Sequence, residues 1–171
     1  MSNRKRAAAV AVFKTEWFSL EKVPAPGSPQ PYYRLSGRDS VEILAVTPQK
    51  KILMVRQFRP ALGLSLLELP AGVIDKGESL KAAALRELRE ETGYAAGTFV
   101  YLGAFYCCPS RVNSRTHAFF ATNARRSGEP EKGIETVLAS RAEFEKMALR
   151  GKIQGISSTC LYGLCKLKGL L

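Results

Sequence analysis

Histidine occurs once in the 171 residues, as His117, and cysteine four times, as Cys107, Cys108, Cys160 and Cys165. One histidine excludes multi-histidine zinc sites and leaves any Ser/His or Cys/His catalytic system dependent on His117. Its setting in Thr116-His117-Ala118-Phe119-Phe120 reads as a strand position. The cysteines make no CxxC pair, and neighbours such as Cys107 and Cys108 rarely bond each other, so no disulfide framework is expected and a cytoplasmic location is the default. No apolar run approaches the roughly 18 residues of a membrane span, and no repeat or low-complexity tract is visible.

Acidic residues are also in short supply: 15 Asp and Glu face 26 Lys and Arg, for a net charge of +11. Such a surplus suits anionic partners or plain solubility. The position of the acids says more than their number. Asp75, Glu78, Glu87, Glu90 and Glu91, five of the fifteen, fall within seventeen residues. A local acidic cluster therefore sits inside a basic protein.

At roughly 100–200 residues per domain the chain makes one domain, large enough to bury a core without a disulfide staple. Its 46% hydrophobic and 24% charged content excludes a collagenous or disordered chain. Arg4, Lys5 and Arg6 precede a short apolar run, Ala7–Phe13, that superficially looks like a signal peptide. Lys14 and Glu16 end that run with no clear cleavage site, so a basic tail leading into a first strand is the reading, with an organelle transit segment as the alternative.

A strand is expected near Val10–Ser19, followed by a Pro-rich connection, Leu20–Tyr33, that carries Pro24, Pro26, Pro29 and Pro31. Val41–Val46 and Lys51–Phe58 read as strands around the turn Thr47–Lys50, and Leu64–Leu69 as a short extended piece ending at Pro70-Ala71-Gly72. From Ser79 to Thr92 there is neither Gly nor Pro, and strong helix formers dominate; Ser79 suits the N-cap and Gly93 the left-handed end. Phe99–Tyr106 and Thr116–Thr122 read as strands joined by a loop, Pro109–Arg115. Asn123–Gly133 reads as a flexible charged loop before a strand at Ile134–Ala139, and helices at Ala142–Arg150 and Ser158–Lys168 close the chain.

The acidic cluster falls on the expected helix. Residues three and four apart share a helix face, so Glu87, Glu90 and Glu91 bring carboxylates together on one side. Like charges at these spacings destabilise an isolated helix by a few tenths of a kcal/mol per pair. A hard divalent cation reverses that sign, because Mg²⁺ and Mn²⁺ prefer carboxylate oxygens and keep positions free for phosphate. Arg86 lies one turn before Glu90 and can hold it or Glu78 in place, and Gly72 suits a loop whose backbone approaches a metal or ligand closely.

Gly72, Glu78, Arg86, Glu87, Glu90, Glu91 and Gly93 stand at fixed spacings, with a chance probability on the order of 10⁻⁸ to 10⁻⁹ per starting position. Gly72–Tyr94 resembles the Nudix box, G-x5-E-x7-R-E-U-x-E-E-x-G-U, at all seven of these positions. Tyr94 departs from the usual Ile, Leu or Val, which touches a packing position and leaves the carboxylates intact. The resemblance implies an α/β/α sandwich with a central mixed sheet, here preceded by an N-terminal antiparallel strand region. It also implies hydrolysis of a nucleoside diphosphate linked to a moiety X. By the same resemblance Glu87, Glu90 and Glu91 are metal ligands, Ala71 a backbone-carbonyl ligand, Gly72, Glu78 and Arg86 their supports, and Mg²⁺ or Mn²⁺ the cofactor.

Val55-Arg56-Gln57-Phe58-Arg59-Pro60, Glu68-Leu69-Pro70-Ala71-Gly72 and Pro109, fifteen residues past Tyr94, are similar to the ADP-ribose and ADP-sugar pyrophosphatase branch. That branch implies a substrate such as ADP-ribose, cleaved to AMP and a sugar phosphate. Arg56, Arg59, Glu68, Trp17 and Pro109 become the candidates for substrate binding. Arg59 is assigned to the phosphates, as guanidinium geometry favours. Trp17, Phe18, Tyr32 and Tyr33 are available to stack the adenine, in this branch often across a dimer interface. Residues 1–40 are then a basic tail and dimer-forming strand region of the same unit, and 41–171 the Nudix domain. Glu90 and Glu91 are taken as catalytic, and Glu131 is preferred over Glu129 and Glu135 as the loop base.

Three other readings compete. An enzyme that sanitises oxidised nucleoside triphosphates shares the box but not the RQFRP and ELPAG runs or Pro109. A dinucleoside- or RNA-directed hydrolase, or a plain nucleic-acid-binding module, would match +11, yet needs basic residues interleaved with aromatics on one face. Here the basic residues are scattered apart from Arg4–Arg6, Arg125–Arg126 and Lys166 with Lys168, so neither nucleic acid nor a membrane is expected as partner. A non-catalytic sensor would have lost a box carboxylate, and none is missing.

Overall fold

Glu42 excepted, residues 41–46 form an unbroken apolar run, as does Ile52–Val55, and both runs are buried on each face. Strands of that kind need a layer on both sides. The computed structural model describes residues 9–171 and supplies those layers, while the basic Arg4–Arg6 lie outside the described residues.

The strands are β1 (Val10–Lys14), β2 (Phe18–Val23), β3 (Tyr32–Gly37), β4 (Ser40–Ala45), β5 (Ile52–Arg59), β6 (Leu64–Glu68), β7 (Ala71–Val73), β8 (Tyr94–Ala95), β9 (Thr98–Phe105), β10 (Thr116–Thr122), β11 (Arg125–Arg126) and β12 (Glu135–Ala139). The helices are α1 (Leu80–Thr92), α2 (Arg141–Leu149) and α3 (Ile156–Leu167). A mixed sheet runs β7-β4-β10-β9, with β4 and β10 parallel and the outer pairs antiparallel. An antiparallel sheet, β12-β5-β6, joins it through a bridge between Val46 and Ile52. The expected α/β/α sandwich with a central mixed sheet is the architecture found. Among the described residues no helix is long and apolar enough to cross a membrane.

Alternation along the central strands divides the core. Val41, Ile43 and Ala45 of β4, with Phe119 and Ala121 of β10, meet Ala83, Ala84 and Leu88 of α1. Leu44, Ala118 and Phe120 face the other way, to Phe144 of α2 and Leu161, Tyr162 and Cys165 of α3. Helix α1 forms as its sequence predicts: the Ser79 hydroxyl accepts the Ala82 N–H at 3.2 Å, and Gly93 ends it in the left-handed region. Ser79→Ala is expected to cost about 1 kcal/mol, read as a lower urea midpoint with unchanged slope.

Three expectations change. The strand near Val10–Ser19 breaks at Thr15, whose hydroxyl accepts the N–H groups of Trp17 and Phe18, so β1 turns back on β2 as a hairpin. The connection read over Leu20–Tyr33 shrinks to residues 24–31, because its ends join β2 and β3. Proline interrupts the run without preventing pairing on either side. The three-stranded sheet β1-β2-β3 docks on the segment after β9: Leu35 N–H donates to the Arg111 carbonyl at 2.7 Å, Asn113 N–H returns to Leu35 at 3.2 Å, and Arg111 stacks over Tyr32.

The segment 123–133 was expected to be a flexible loop, and the structure ties it down instead. Strand β11 pairs with β8, and the N–H groups of Ser127 and Gly128 donate to the Gly93 carbonyl at 2.8 and 3.0 Å. Gly93 is required twice over: its φ is +70°, and a Cβ there would stand 2.5 Å from the Gly128 carbonyl oxygen.

Candidate active site

The buried stripe of α1 contains Ala83, Ala84 and Leu88, but also Glu87 and Glu91. Two carboxylates thus point inward where an ordinary amphipathic helix carries apolar groups. Arg86 gathers the acids around them. Its Nε and Nη2 donate to Glu78 at 3.0 Å each, and Nη2 also reaches the Val73 carbonyl at 2.9 Å. Its Nη1 donates to Glu87 at 2.7 Å and to Glu90 at 3.1 Å. One guanidinium fork thereby ties the helix to the β7 segment, and it lowers the pKa of the Glu78 carboxyl.

Glu91 faces β5 and the turn into β7. Its Oε2 accepts the Ala71 N–H at 2.8 Å and its Oε1 the Gln57 side-chain amide at 3.3 Å. Burial outweighs those bonds and pushes the Glu91 carboxyl up to about 7; burial also raises Glu87. Gly72 lies against them, where a Cβ would come within 2.1 Å of the Glu87 carboxyl carbon. The sequence reading of Gly72 as a close-approach glycine therefore has a named neighbour. Gly72→Ala is expected to lower turnover about a hundredfold, since an ångström of misplacement can cost that much. The fold is expected to survive, because the obstructed atoms end a flexible side chain; a thermal melt beside the activity assay separates the two effects.

Strand parity on β5 separates the two arginines. Gln57 and Arg59 share a face, and Arg59 lies near enough to Glu91 for its charge to be felt there. Arg59 donates through Nε to Glu68 at 2.8 Å. Arg56 is on the opposite face, paired at 3.1 Å with Glu135, its neighbour across β12. Gln57 escaped the sequence reading, although its parity with Arg59 was the available signal.

Of the three loop carboxylates, Glu129 is held by Arg126 at 2.6–2.7 Å and Glu135 by Arg56. Glu131 forms no salt bridge among the described residues. Its N–H donates to the Glu90 carbonyl at 2.8 Å, and its charge contributes to the raised pKa of Glu87. Trp17 stands on the β1–β2 hairpin, 66% exposed. Pro109 lines a separate cavity of about 330 Å³ with Tyr32, Arg34, Tyr106 and Arg111. The structure does not bring these two residues to α1. His117 is buried in β10 between the Tyr101 hydroxyl at 3.0 Å and Asp39 at 3.2 Å, a structural position as its strand setting suggested.

The donor set fits a hard divalent cation in chemistry: three carboxylates and the Ala71 carbonyl, all oxygen, beside the partly buried Gly72 of β7. Among the described residues no three acidic, thiol or imidazole groups converge as a ready ligand cluster. One nitrogen of Arg86 holds an oxygen each of Glu87 and Glu90, while Glu91 turns to Ala71.

A helix bearing inward carboxylates, crossed by an arginine fork and backed by a close-approach glycine on an α/β/α sandwich, is the arrangement the sequence motif predicts for a Nudix protein. The NUDIX domain family matches residues 37–152, and the chain belongs to that family. It is 46% identical over 82 residues to an ADP-ribose pyrophosphatase of Bacillus subtilis, covering 48% of this chain and 44% of that one. It is 34% identical over 131 residues to an ADP-ribose pyrophosphatase of Mycobacterium tuberculosis, covering 73% and 62%, and 41% identical over 88 residues to an ADP-sugar pyrophosphatase of Mus musculus, covering 49% and 40%. The chain thus spans about half the length of the curated relatives it matches. The fold is that of a crystal structure described as an ADP compounds hydrolase, with a TM-score of 0.79, 21% identity, and 96% and 95% of the two chains covered.

Proposed function

We propose that this protein is a metal-dependent pyrophosphatase that cleaves the diphosphate of an ADP-sugar, with ADP-ribose giving AMP and ribose 5-phosphate. The observation that carries the reading is the pair of buried α1 carboxylates, Glu87 and Glu91, set against Ala71 and Gly72 of β7 with Arg59 close by. Glu87, Glu90, Glu91 and the Ala71 carbonyl would hold Mg²⁺ or Mn²⁺, with Gly72, Glu78 and Arg86 shaping the site. When bound, such a cation neutralises diphosphate charge and acidifies a water for attack on phosphorus.

Arg59 binds the diphosphate from β5, with Glu68 orienting its guanidinium. Glu131 accepts the proton of the attacking water, in keeping with a carboxylate beside α1 that forms no salt bridge among the described residues. Arg56 and Pro109 contribute to substrate binding from outside this cluster. The N-terminal sheet leaves Val10, Val12, Phe13, Trp17, Phe18 and Tyr33 exposed, an apolar surface of the kind that pairs with another copy. We therefore assign a homodimer through β1–β3, with Trp17 brought to the adenine by assembly. Four free cysteines, three of them exposed, suit the reducing cytoplasm.

The test is product analysis with Mg²⁺ or Mn²⁺ on ADP-ribose, ADP-glucose, GDP-mannose and oxidised dGTP. AMP and ribose 5-phosphate from ADP-ribose, abolished by EDTA and restored by excess Mg²⁺, are expected. Turnover confined to triphosphates, or turnover that ignores EDTA, would reject the assignment.

A further inference from the structure

Glu42 is the one charged residue in the apolar run of β4, and it is only 5% exposed. It shares strand parity with Leu44 and so faces α3, away from α1 and the cluster around Arg86. Its Oε1 accepts the Ser158 hydroxyl at 2.8 Å and the Ser157 hydroxyl at 3.2 Å, both from the first turn of α3. Burying a carboxylate costs far more than burying an apolar side chain in the same place. Packing alone therefore does not account for Glu42.

Ser158 carries the connection onward. It is fully buried, and while its proton goes to Glu42 its oxygen accepts the Leu69 N–H at 2.9 Å. A hydroxyl has one proton and rotates to suit its partners, so the acceptor on Glu42 leaves the lone pairs of Ser158 for Leu69. Leu69 is itself fully buried and lies between β6 and β7, outside both of their ladders. Its N–H would be a costly orphan without the serine.

The two residues that follow lead into the proposed metal site. Pro70 has no N–H to give β4, and its carbonyl accepts the Ile43 N–H at 2.9 Å. Bonded pairs alternate along an antiparallel ladder, which makes Glu42 and Ala71, opposite each other, a non-bonded pair. Both polar groups of Ala71 thus face away from β4: the N–H meets Glu91 at 2.8 Å, and the carbonyl opens on the same side. The direction of that carbonyl is set by how Leu69 and Pro70 are held.

We propose that Glu42 and Ser158 are positioning residues for the cation: they hold the Leu69 N–H and so fix the direction of the Ala71 carbonyl. This rests on the metal site of the pyrophosphatase reading and adds to it two residues from the opposite face of the sheet. Both act through the backbone, without touching metal or substrate.

The test is Mn²⁺ binding to the full-length protein without substrate, followed by the paramagnetic resonance of the free ion. Ser158→Ala removes the hydroxyl, and Glu42→Leu removes the acceptor that orients it. Each is expected to weaken Mn²⁺ binding by about tenfold or more, the scale of losses seen when the supports of metal ligands are removed. Glu42→Gln keeps an acceptor for Ser158 and is expected to restore binding to within about threefold of wild type. Ser157→Ala loses a bond to Glu42 but none to Leu69, and is expected to stay within the same range.

A thermal melt in EDTA accompanies each variant. Should Ser158→Ala not melt cooperatively, Ser158→Cys, similar in shape and weaker as an acceptor, is read in its place, with an expected loss of about threefold or more. A folded Ser158 variant that binds Mn²⁺ as wild type does would overturn the proposal. So would a loss in Ser157→Ala as large as that in Ser158→Ala. The expected Mn²⁺ pattern in a protein that cleaves no ADP-sugar would reject the pyrophosphatase reading and leave the positioning role standing. Wild type that binds no Mn²⁺ would overturn both.

Discussion

Glu91→Gln is expected to reduce ADP-ribose turnover by on the order of 10³–10⁴-fold, with a KM shift that is small by comparison. At about 1.4 kcal/mol per tenfold, that is roughly 4–6 kcal/mol of transition-state stabilisation, the scale on which a metal and its bound water act. The substitution is close to isosteric. Its amide oxygen keeps the Ala71 N–H, and Gln57 can rotate its own amide to accept where it now donates. What disappears is the charge.

The same variant is expected to gain stability in metal-free buffer. Burial raises the Glu91 pKa from 4.5 to about 7, so between these values the folded chain binds more protons than the unfolded one. Stability then falls as pH rises through that window, by on the order of a few kcal/mol in total. Glutamine carries no such penalty. The melting temperature of Glu91→Gln should exceed that of wild type at pH 8 and approach it at pH 5, both with EDTA. A variant that is inactive and also less stable at pH 8 would show that Glu91 acts as scaffold.

Glu131→Gln is expected to lower kcat by on the order of 10²–10³-fold and to leave KM within about threefold, as loss of a general base does. Glu129→Gln and Glu135→Gln are the controls, since their carboxylates are held by Arg126 and Arg56. Both are expected within about threefold of wild type, as exposed ion pairs contribute little. A large loss at Glu135 with none at Glu131 would transfer the assignment to the residue across from Arg56.

Position 131 shows where reading the chain succeeds and where it stops. Its candidacy came from composition, as one of three carboxylates in a charged segment expected to be mobile. The folded chain distinguishes the three, because β11 pairs with β8 and Gly93 receives two N–H groups from the segment, leaving Glu131 bonded to the last turn of α1. Those contacts join residues thirty or more apart in sequence. Gln57 is a similar case: strand parity with Arg59 was legible, but its bond to Glu91 spans 34 residues.

Helix α1, by contrast, was legible end to end. Its cap, its left-handed glycine, its carboxylate spacing and the fork from Arg86 all lie within one continuous stretch, and local backbone geometry fixes their relations. The sequence by itself therefore determined the acidic helix, the close-approach glycine that meets it and the family they define. Only the tertiary structure decided which loop acid stands beside that helix, which arginine of β5 shares its side, and that Glu42 is bound by two serines 115 and 116 residues away. The reason is distance along the chain: periodicity fixes neighbours within an element, and packing alone chooses neighbours between elements.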